Sequence, residues 1–328
     1  MSAPVNFVGH VNALVRTAVA GTERIVCYGQ NIAAGSCLSG LTRGLAPGAG
    51  GLVLNTPNAE NSLVAMGFGM LMRDVSSIFF MKQQDFLLLG MDHLVNTYNI
   101  VRRRAPAASY TIVAIIVDQG FEGPQSCLNN LSDFCSMANV PGYVVSNHAD
   151  ADIIVPRHLV SPGFRILGVS QRLFGNLPAP LAEPATACEP DGGLIRYTSG
   201  AGATVVAFNT AFPQALAVHQ AMEASGRKAS LFSVNAAWRC DWSEAIADIR
   251  RTGRLVVLDD SKSANRTSDR FLLDVHGAAA ETTIVTVRRS FSENWLRPNP
   301  DVLEVDPADV MIKLWPQAQS KQIAFSQD

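Results

Sequence analysis

Short apolar runs, set off by turn residues and separated by helix-like stretches, recur along this chain. That rhythm constrains the fold more than any other feature of the sequence. The runs "RIVCYG" (24–29) and "SSIFFM" (76–81) read as strands, and "GLVLNTP" (51–57) and "YTIVAIIVD" (110–118) as buried ones. Between them, "AENSLVAMGFGMLMRD" (59–74) reads as a helix that is apolar nearly all round, which predicts burial on several sides. The stretch "QDFLLLGMDHLVNTYNIVRRR" (84–104) reads as one long helix. Its final arginines, Arg102-Arg103-Arg104, suit the negative end of the helix dipole. Strands alternating with helices in this way predict an α/β fold with a largely parallel sheet.

The segment "GNLPAPLAEPATACEPDGG" (175–193) is rich in Pro, Gly, Ala and Glu and reads as exposed connection. Beyond it the rhythm restarts, with strands at 203–209, 228–235, 254–260 and 282–288 and helices at 211–226 and 242–253. Gly226 and Gly253 stand where helix C-caps belong. The expected division is a first α/β domain at 1–180, a linker at 181–202 and a smaller α/β domain at 203–328.

Composition narrows the function classes. Hydrophobic residues make up 48% of the 328 residues and charged ones only 16%, which excludes a disordered chain. A net charge of −2 gives no electrostatic reason to bind nucleic acid or an anionic membrane. The apolar runs fall far short of the roughly 20 residues that span a bilayer. The first residues lack the basic start and apolar block of a signal peptide, so a cytoplasmic protein is expected. The low charge leads us to expect an oligomer, since interface cores are depleted in charge. Six cysteines, with no CxxC pair and no zinc-site spacing, read as reduced thiols.

No GxSxG, P-loop or GxGxxG stands in the chain, so the common fingerprints of nucleophilic and nucleotide chemistry are absent. The unusual feature is Glu60, a lone acid opening an otherwise apolar helix after a strand-and-proline turn. The helix dipole favours an acid there. A carboxylate at an apolar edge is also placed to act as an acid or base.

Around Glu60, Asn55-Thr56-Pro57 is followed by a small-residue helix, an aromatic strand and then Asp85-Phe86, Asp92 and Asn96. This order resembles the pyrimidine-binding domain of thiamine-diphosphate enzymes. It is closest to the β subunit of 2-oxo-acid dehydrogenase decarboxylase components and the matching half of transketolases. The segment "VCYGQNIAAGSCLSGLTRGL" (26–45) and the strand "TGRLVVLDDSK" (252–262) are similar to further parts of the same families, so the resemblance covers about 10–290. It implies a pyrimidine-binding fold followed by a transketolase-C-like domain.

The resemblance implies roles for particular residues. Glu60 would stabilise the imino tautomer of the cofactor's aminopyrimidine, help of a kind that contributes about 10²–10⁴-fold. Phe86 would stack on the pyrimidine, and Gln30 stands where the family has an acid. The family's diphosphate-binding GDG motif is missing. The expectation is therefore a shared site, with thiamine diphosphate and Mg2+ held mainly by an α-type partner chain in an α2β2 heterotetramer, and no metal ligand in this chain. The family's histidine after the third strand is replaced by Gln125 or Ser126, and His148 is the nearby candidate to stand in. Asp118, Gln119 and Glu122 follow a buried strand and are candidate substrate contacts. The implied activity is a split-transketolase-like transfer of a two-carbon ketol or acyl unit. The alternatives are a 2-oxo-acid dehydrogenase β subunit passing an acyl group to a lipoyl carrier, and a non-catalytic scaffold of the same fold.

Overall fold

The structure, a computed structural model, describes residues 4–120, 123, 126–181, 183–289 and 302–316. In chain order the first half comprises α1 (Phe7–Ala20), β1 (Val26–Gly29), β2 (Leu52–Asn55), α2 (Glu60–Met72), β3 (Ser77–Met81), α3 (Leu87–Asp92), α4 (Tyr98–Val101), β4 (Ser109–Ile116), α5 (Leu131–Ala138), β5 (Gly142–Val145), α6 (His148–His158) and β6 (Gly163–Ser170). The second half comprises β7 (Thr186–Ala187), β8 (Leu194–Thr198), β9 (Ala203–Phe208), α7 (Phe212–Ala224), β10 (Ala229–Val234), α8 (Ser243–Thr252), β11 (Arg254–Asp259), α9 (Thr267–Ala278), β12 (Thr283–Arg288) and α10 (Pro307–Leu314).

The first sheet has the order β2-β1-β3-β4-β6-β5, and every pairing in it is parallel. The second runs β12-β11-β9-β10-β8-β7, parallel except where β8 meets β10 and β7. The α/β reading therefore holds. Strands β3 and β4 are buried along their whole length, as expected of sheets covered on both faces. One apolar cluster joins the two halves, running from Val113, Val145 and Ile154 to Ile195, Phe212 and Val218.

Four expectations are corrected. The segment 181–202 is not all linker: β7 and β8 form the edge of the second sheet, paired antiparallel. Short edge strands beside a proline-rich loop carry too little periodicity to be read. The run at 51–57 is not buried: β2 is the sheet edge, with Leu52 and Leu54 exposed. The helix at 59–74 is buried along one stripe, Leu63, Val64, Gly67, Phe68 and Leu71, rather than on several sides, and Met66 and Met72 reach solvent. The stretch 84–104 is not one helix. It breaks into a 3₁₀ turn at Gln84–Phe86, α3, a π-helical turn at His93–Thr97, α4 and a last 3₁₀ turn at Arg102–Arg104.

Close packing sets where α2 lies. A Cβ at Gly67 would collide with the Tyr110 ring, and one at Gly90 would lie 2.7 Å from Val64. The missing side chains thus let α2 lie against β4 and α3. The Tyr28 hydroxyl donates to the Leu63 carbonyl at 2.9 Å and ties the same helix to β1.

Candidate active site

In parallel sheets the loops at the carboxyl ends of the strands form the ligand-binding edge. In the first sheet that edge carries Gln30 after β1, Thr56–Glu60 after β2, Gln84–Phe86 after β3 and Asp118 after β4. Gly29 adopts a positive φ, and any Cβ there would strike the Phe80 carbonyl; only glycine lets the chain turn here and deliver Gln30. Asn55 then pins this turn, its Oδ1 accepting from the Ile32 and Ala33 N–H groups at 2.9 and 3.0 Å. The Thr56 N–H donates to the Gly29 carbonyl at 3.0 Å, locking the two loops together.

The polar groups gathered here are unusually free. Glu60 is 7% exposed, and its carboxylate has no hydrogen-bond or ionic partner among the described residues. The amide nitrogen of Gln30 and the hydroxyl of Thr56 are buried and likewise unpartnered. The N-cap of α2, Ala59, offers no side-chain oxygen to the helix N–H groups, so the positive end of the dipole faces Glu60 directly. Buried polar groups are normally paired. Here three such groups without a partner among the described residues stand on two interlocked loops.

Phe86 is half-buried at the end of its turn, with part of its ring packed against the core that contains Leu87 and Leu94. Beside it Asp85 is buried, and its Oδ1 accepts from the Cys127 and Leu128 N–H groups at 2.9 and 3.0 Å. Burial pushes the Asp85 carboxyl above its ordinary range, against those hydrogen bonds and the charge of Lys262. Its second oxygen has no partner among the described residues. Asp92 accepts from Asn96 at 2.7 Å on the exposed side of the α3 segment.

The other candidates do not join this group. Asp118 is 1% exposed, and its carboxylate is fully engaged: Ser170 Oγ donates at 2.6 Å and the Arg172 N–H at 3.0 Å. Arg172 reaches on to Asp260 Oδ2 at 3.0 Å, which ties the end of β4 to the end of β11. Burial raises the Asp118 carboxyl, opposed first by the Arg172 charge. Gln119 is half-buried beside it and Ser126 is half-buried, its N–H bonded to the Gly123 carbonyl. Glu122 and Gln125 lie outside the described residues. His148 follows β5, at the opposite edge of the sheet from β2; five strand spacings separate them, roughly 24 Å. Its Nε2 meets the Val5 carbonyl at 3.0 Å, and burial lowers its pKa. The structure thus brings Glu60, Gln30 and Thr56 together and leaves His148 away from them.

Sequence reasoning missed the tether made by Asn55, the orphaned Thr56 hydroxyl and the joint through Arg172. Asn55 and Thr56 were visible only as motif letters. For Arg172 the one signal was the acidic pair Asp259-Asp260 closing a buried strand, which called for a cation. Among the described residues, no group of His, Cys, Asp and Glu is arranged to hold a metal, and no helix is long and apolar enough to cross a membrane.

No family model matches the chain. Two curated proteins are similar over most of it. The 2-oxoisovalerate dehydrogenase subunit beta of Chaetomium thermophilum is 24% identical over 276 residues, 78% of this chain and 56% of that protein. The pyruvate dehydrogenase E1 component subunit beta of Leifsonia xyli subsp. xyli is 21% identical over 265 residues, 76% of this chain and 75% of its own length. The chain thus spans little more than half of the first relative. Among solved structures, a chain described as a split-gene transketolase in an inactive β4 tetramer superposes with a TM-score of 0.66 at 15% identity, covering 96% of this chain and 98% of the other. The chain is therefore similar in sequence to β subunits of 2-oxo-acid dehydrogenases and has the two-sheet fold of a split transketolase, the resemblance that Asn55–Glu60 and Asp85–Asn96 carried.

Proposed function

We propose that the chain is the β-type subunit of a two-chain thiamine-diphosphate-dependent enzyme, with Glu60, Gln30, Thr56 and Phe86 holding the cofactor's aminopyrimidine ring. One observation carries this reading: a buried glutamate without a partner, at an uncapped helix start, beside two more orphaned polar groups. An aminopyrimidine presents donors and acceptors around its rim and an apolar face, which fits this donor set and the half-open Phe86 ring. When bound, thiamine diphosphate supplies a carbon nucleophile that attacks a substrate carbonyl. Glu60 would hold a proton against a pyrimidine ring nitrogen, the apolar walls of α2 keeping water from the carboxylate. Phe86 would flank the ring and fix its plane.

The chain has no GDG motif, and no metal-type cluster is found among the described residues. The proposal therefore gives the diphosphate and Mg2+ to an α-type partner in a cytoplasmic α2β2 assembly. The exposed apolar side chains Met66, Leu88, Leu89 and Ile100 support a covering chain on the α2–α4 side. The split-gene transketolase neighbour is described as inactive in its β4 form, which suits a β chain that is silent by itself. The reaction we favour is transfer of a two-carbon ketol or acyl unit. The names of the two curated relatives favour a second reading, oxidative decarboxylation of a 2-oxo acid with the acyl group passed to a lipoyl carrier.

The test is calorimetric titration of thiamine diphosphate with Mg2+ into this chain alone and into its complex with an α-type partner, followed by turnover of ketoses and 2-oxo acids. Binding and turnover confined to the complex, with turnover lost in Glu60→Gln, are expected. Full turnover in Glu60→Gln would overturn the assignment, and absence of binding in both samples would leave the scaffold reading in its place.

A further inference from the structure

At the opposite, amino-terminal edge of the first sheet, a cavity of about 380 Å³ is walled by Tyr98, Arg102, Ala105, Pro106, Pro162 and Gly163. It lies where β4 and β6 begin, a whole strand length from the Glu60 edge, roughly 20–25 Å. Its chemistry is cationic. The Arg102 guanidinium lies over the Tyr98 ring, 4.3 Å from the centroid. Stacking uses the face of the group and leaves its in-plane N–H groups for acceptors. Among the described residues only Nη2 has one, the Ala138 carbonyl at 3.1 Å, and the buried Nε has no partner.

A second guanidinium, that of Arg165, is 5% exposed behind Gly163 and 3.0 Å from the His158 carbonyl, with further carbonyls of Ser161 and Pro162 around it. Among the described residues neither arginine is paired with a carboxylate. Asp74, on the adjoining turn, is bonded to the Ala107 N–H. Burial without a counter-charge pushes Arg165 down to about 10. Burial raises the Tyr98 hydroxyl and the same two arginines pull it down, so both charges bear on that group.

The backbone is shaped for the cavity. The π-helical turn His93–Thr97 shifts the register by which Tyr98 and Arg102 leave the helix, and such turns recur at functional sites. Ala105, at φ +43°, then holds a left-handed conformation that a non-glycine residue adopts at a cost, and it turns the chain away to leave the space open.

We propose that this pocket is a second binding site, distinct from the Glu60 edge, which takes the phosphate group of a small phosphate ester. A tetrahedral dianion would meet the fork of Arg102 and accept from the Tyr98 hydroxyl, with the carbonyl-bonded charge of Arg165 behind the wall favouring an anion, while Pro106 and Pro162 pack the ester's carbon skeleton.

The test is calorimetry on the full chain with two probes that contain no thiamine, inorganic phosphate and glucose 6-phosphate, beside vesicles containing phosphatidic acid. Saturable binding near one per chain is expected, at about a millimolar or tighter and stronger for the sugar phosphate. Arg102→Gln should weaken it by about tenfold or more, since a charge-assisted pair is lost. Arg104→Gln, on the exposed end of the run, should change it less than about twofold. Hydrogen exchange on the unmodified chain gives a readout independent of the variants, with added phosphate expected to protect the amides of 98–109 and 163–165. Absence of saturable binding, equal weakening by both variants, protection elsewhere only, or binding confined to the vesicles would each overturn the proposal.

Discussion

Two carboxyl-terminal strand edges of this molecule carry buried polar residues, and they treat them in opposite ways. At the joint between the sheets, Asp118, Arg172 and Asp260 form a closed network. Arg172 spans the two carboxylates, Ser170 and Thr210 donate to them at 2.6 Å, and Asn209 adds a bond to Asp260 at 3.0 Å. At the β1–β2 edge, the Glu60 carboxylate, the Gln30 amide nitrogen and the Thr56 hydroxyl are buried without partners among the described residues. Buried polarity by itself therefore marks no site. A satisfied network holds two halves of a fold in one orientation, whereas an unsatisfied one is held at an energetic cost that a ligand can relieve.

Four experiments can break or sharpen this contrast. The largest effect belongs to Glu60→Gln in the assembled enzyme, where turnover should fall about 10²–10⁴-fold with the thermal unfolding of the chain nearly unchanged. A variant that loses stability rather than activity would place Glu60 on the structural side of the comparison. Next, Arg172→Met leaves two buried carboxylates facing each other, and urea unfolding should show a loss of about 3–5 kcal/mol. A loss below about 1 kcal/mol would show that the joint does not hold the halves together.

The third experiment concerns Asp150, buried in the capping box of α6 and accepting from Ser146, Asn147 and Asn235. Burial pushes its carboxyl up to about 6, against those hydrogen bonds. The folded state then holds the proton more tightly than the unfolded chain, whose carboxyl titrates near about 4. Its contribution to stability is complete below about pH 4 and is lost as pH rises through about 6, a fall of at most about 3 kcal/mol. Asp150→Asn should flatten the unfolding free energy between those limits, and an unchanged slope would contradict the assignment. The smallest effect is expected from Phe86→Ala, which removes a ring contact worth about 0.5–1.5 kcal/mol and should weaken cofactor affinity about tenfold at most. No change in affinity would remove Phe86 from the pocket.

Much of the fold was legible because its signals are local. The strands at 76–81, 110–118, 203–209, 228–235 and 254–260 fall within a residue or two of β3, β4, β9, β10 and β11. Each is a short apolar run whose flanking turns are written in the sequence. The segment from α5 to β6 gave no comparable signal, because α5 and α6 mix buried Asp, Ser and His with their apolar residues. Edge position was equally hidden: Leu52 and Leu54 look like core residues, and only the strand order puts β2 at the margin. The single helix expected at 84–104 failed at the π-helical turn, which one residue of excess per turn creates without changing the apolar pattern.

The candidate site divides along the same line. Glu60 and Phe86 stand out as candidates in the sequence, since residue type, order and spacing along one chain carry that motif. By itself the sequence thus determined the α/β class and the positions of most strands, and it singled out Glu60 as the candidate. Which polar groups are left unpaired is a property of three-dimensional neighbours. The tertiary structure alone decided that the Gln30 amide and the Thr56 hydroxyl are left without partners beside Glu60, that Asp118 is consumed by Arg172, and that His148 stands at the far edge of the sheet. Hydrogen-bond satisfaction depends on groups far apart in the chain, 88 residues in the Arg172–Asp260 pair and 131 in the Asn129–Asp260 pair, and no local pattern in the chain records it.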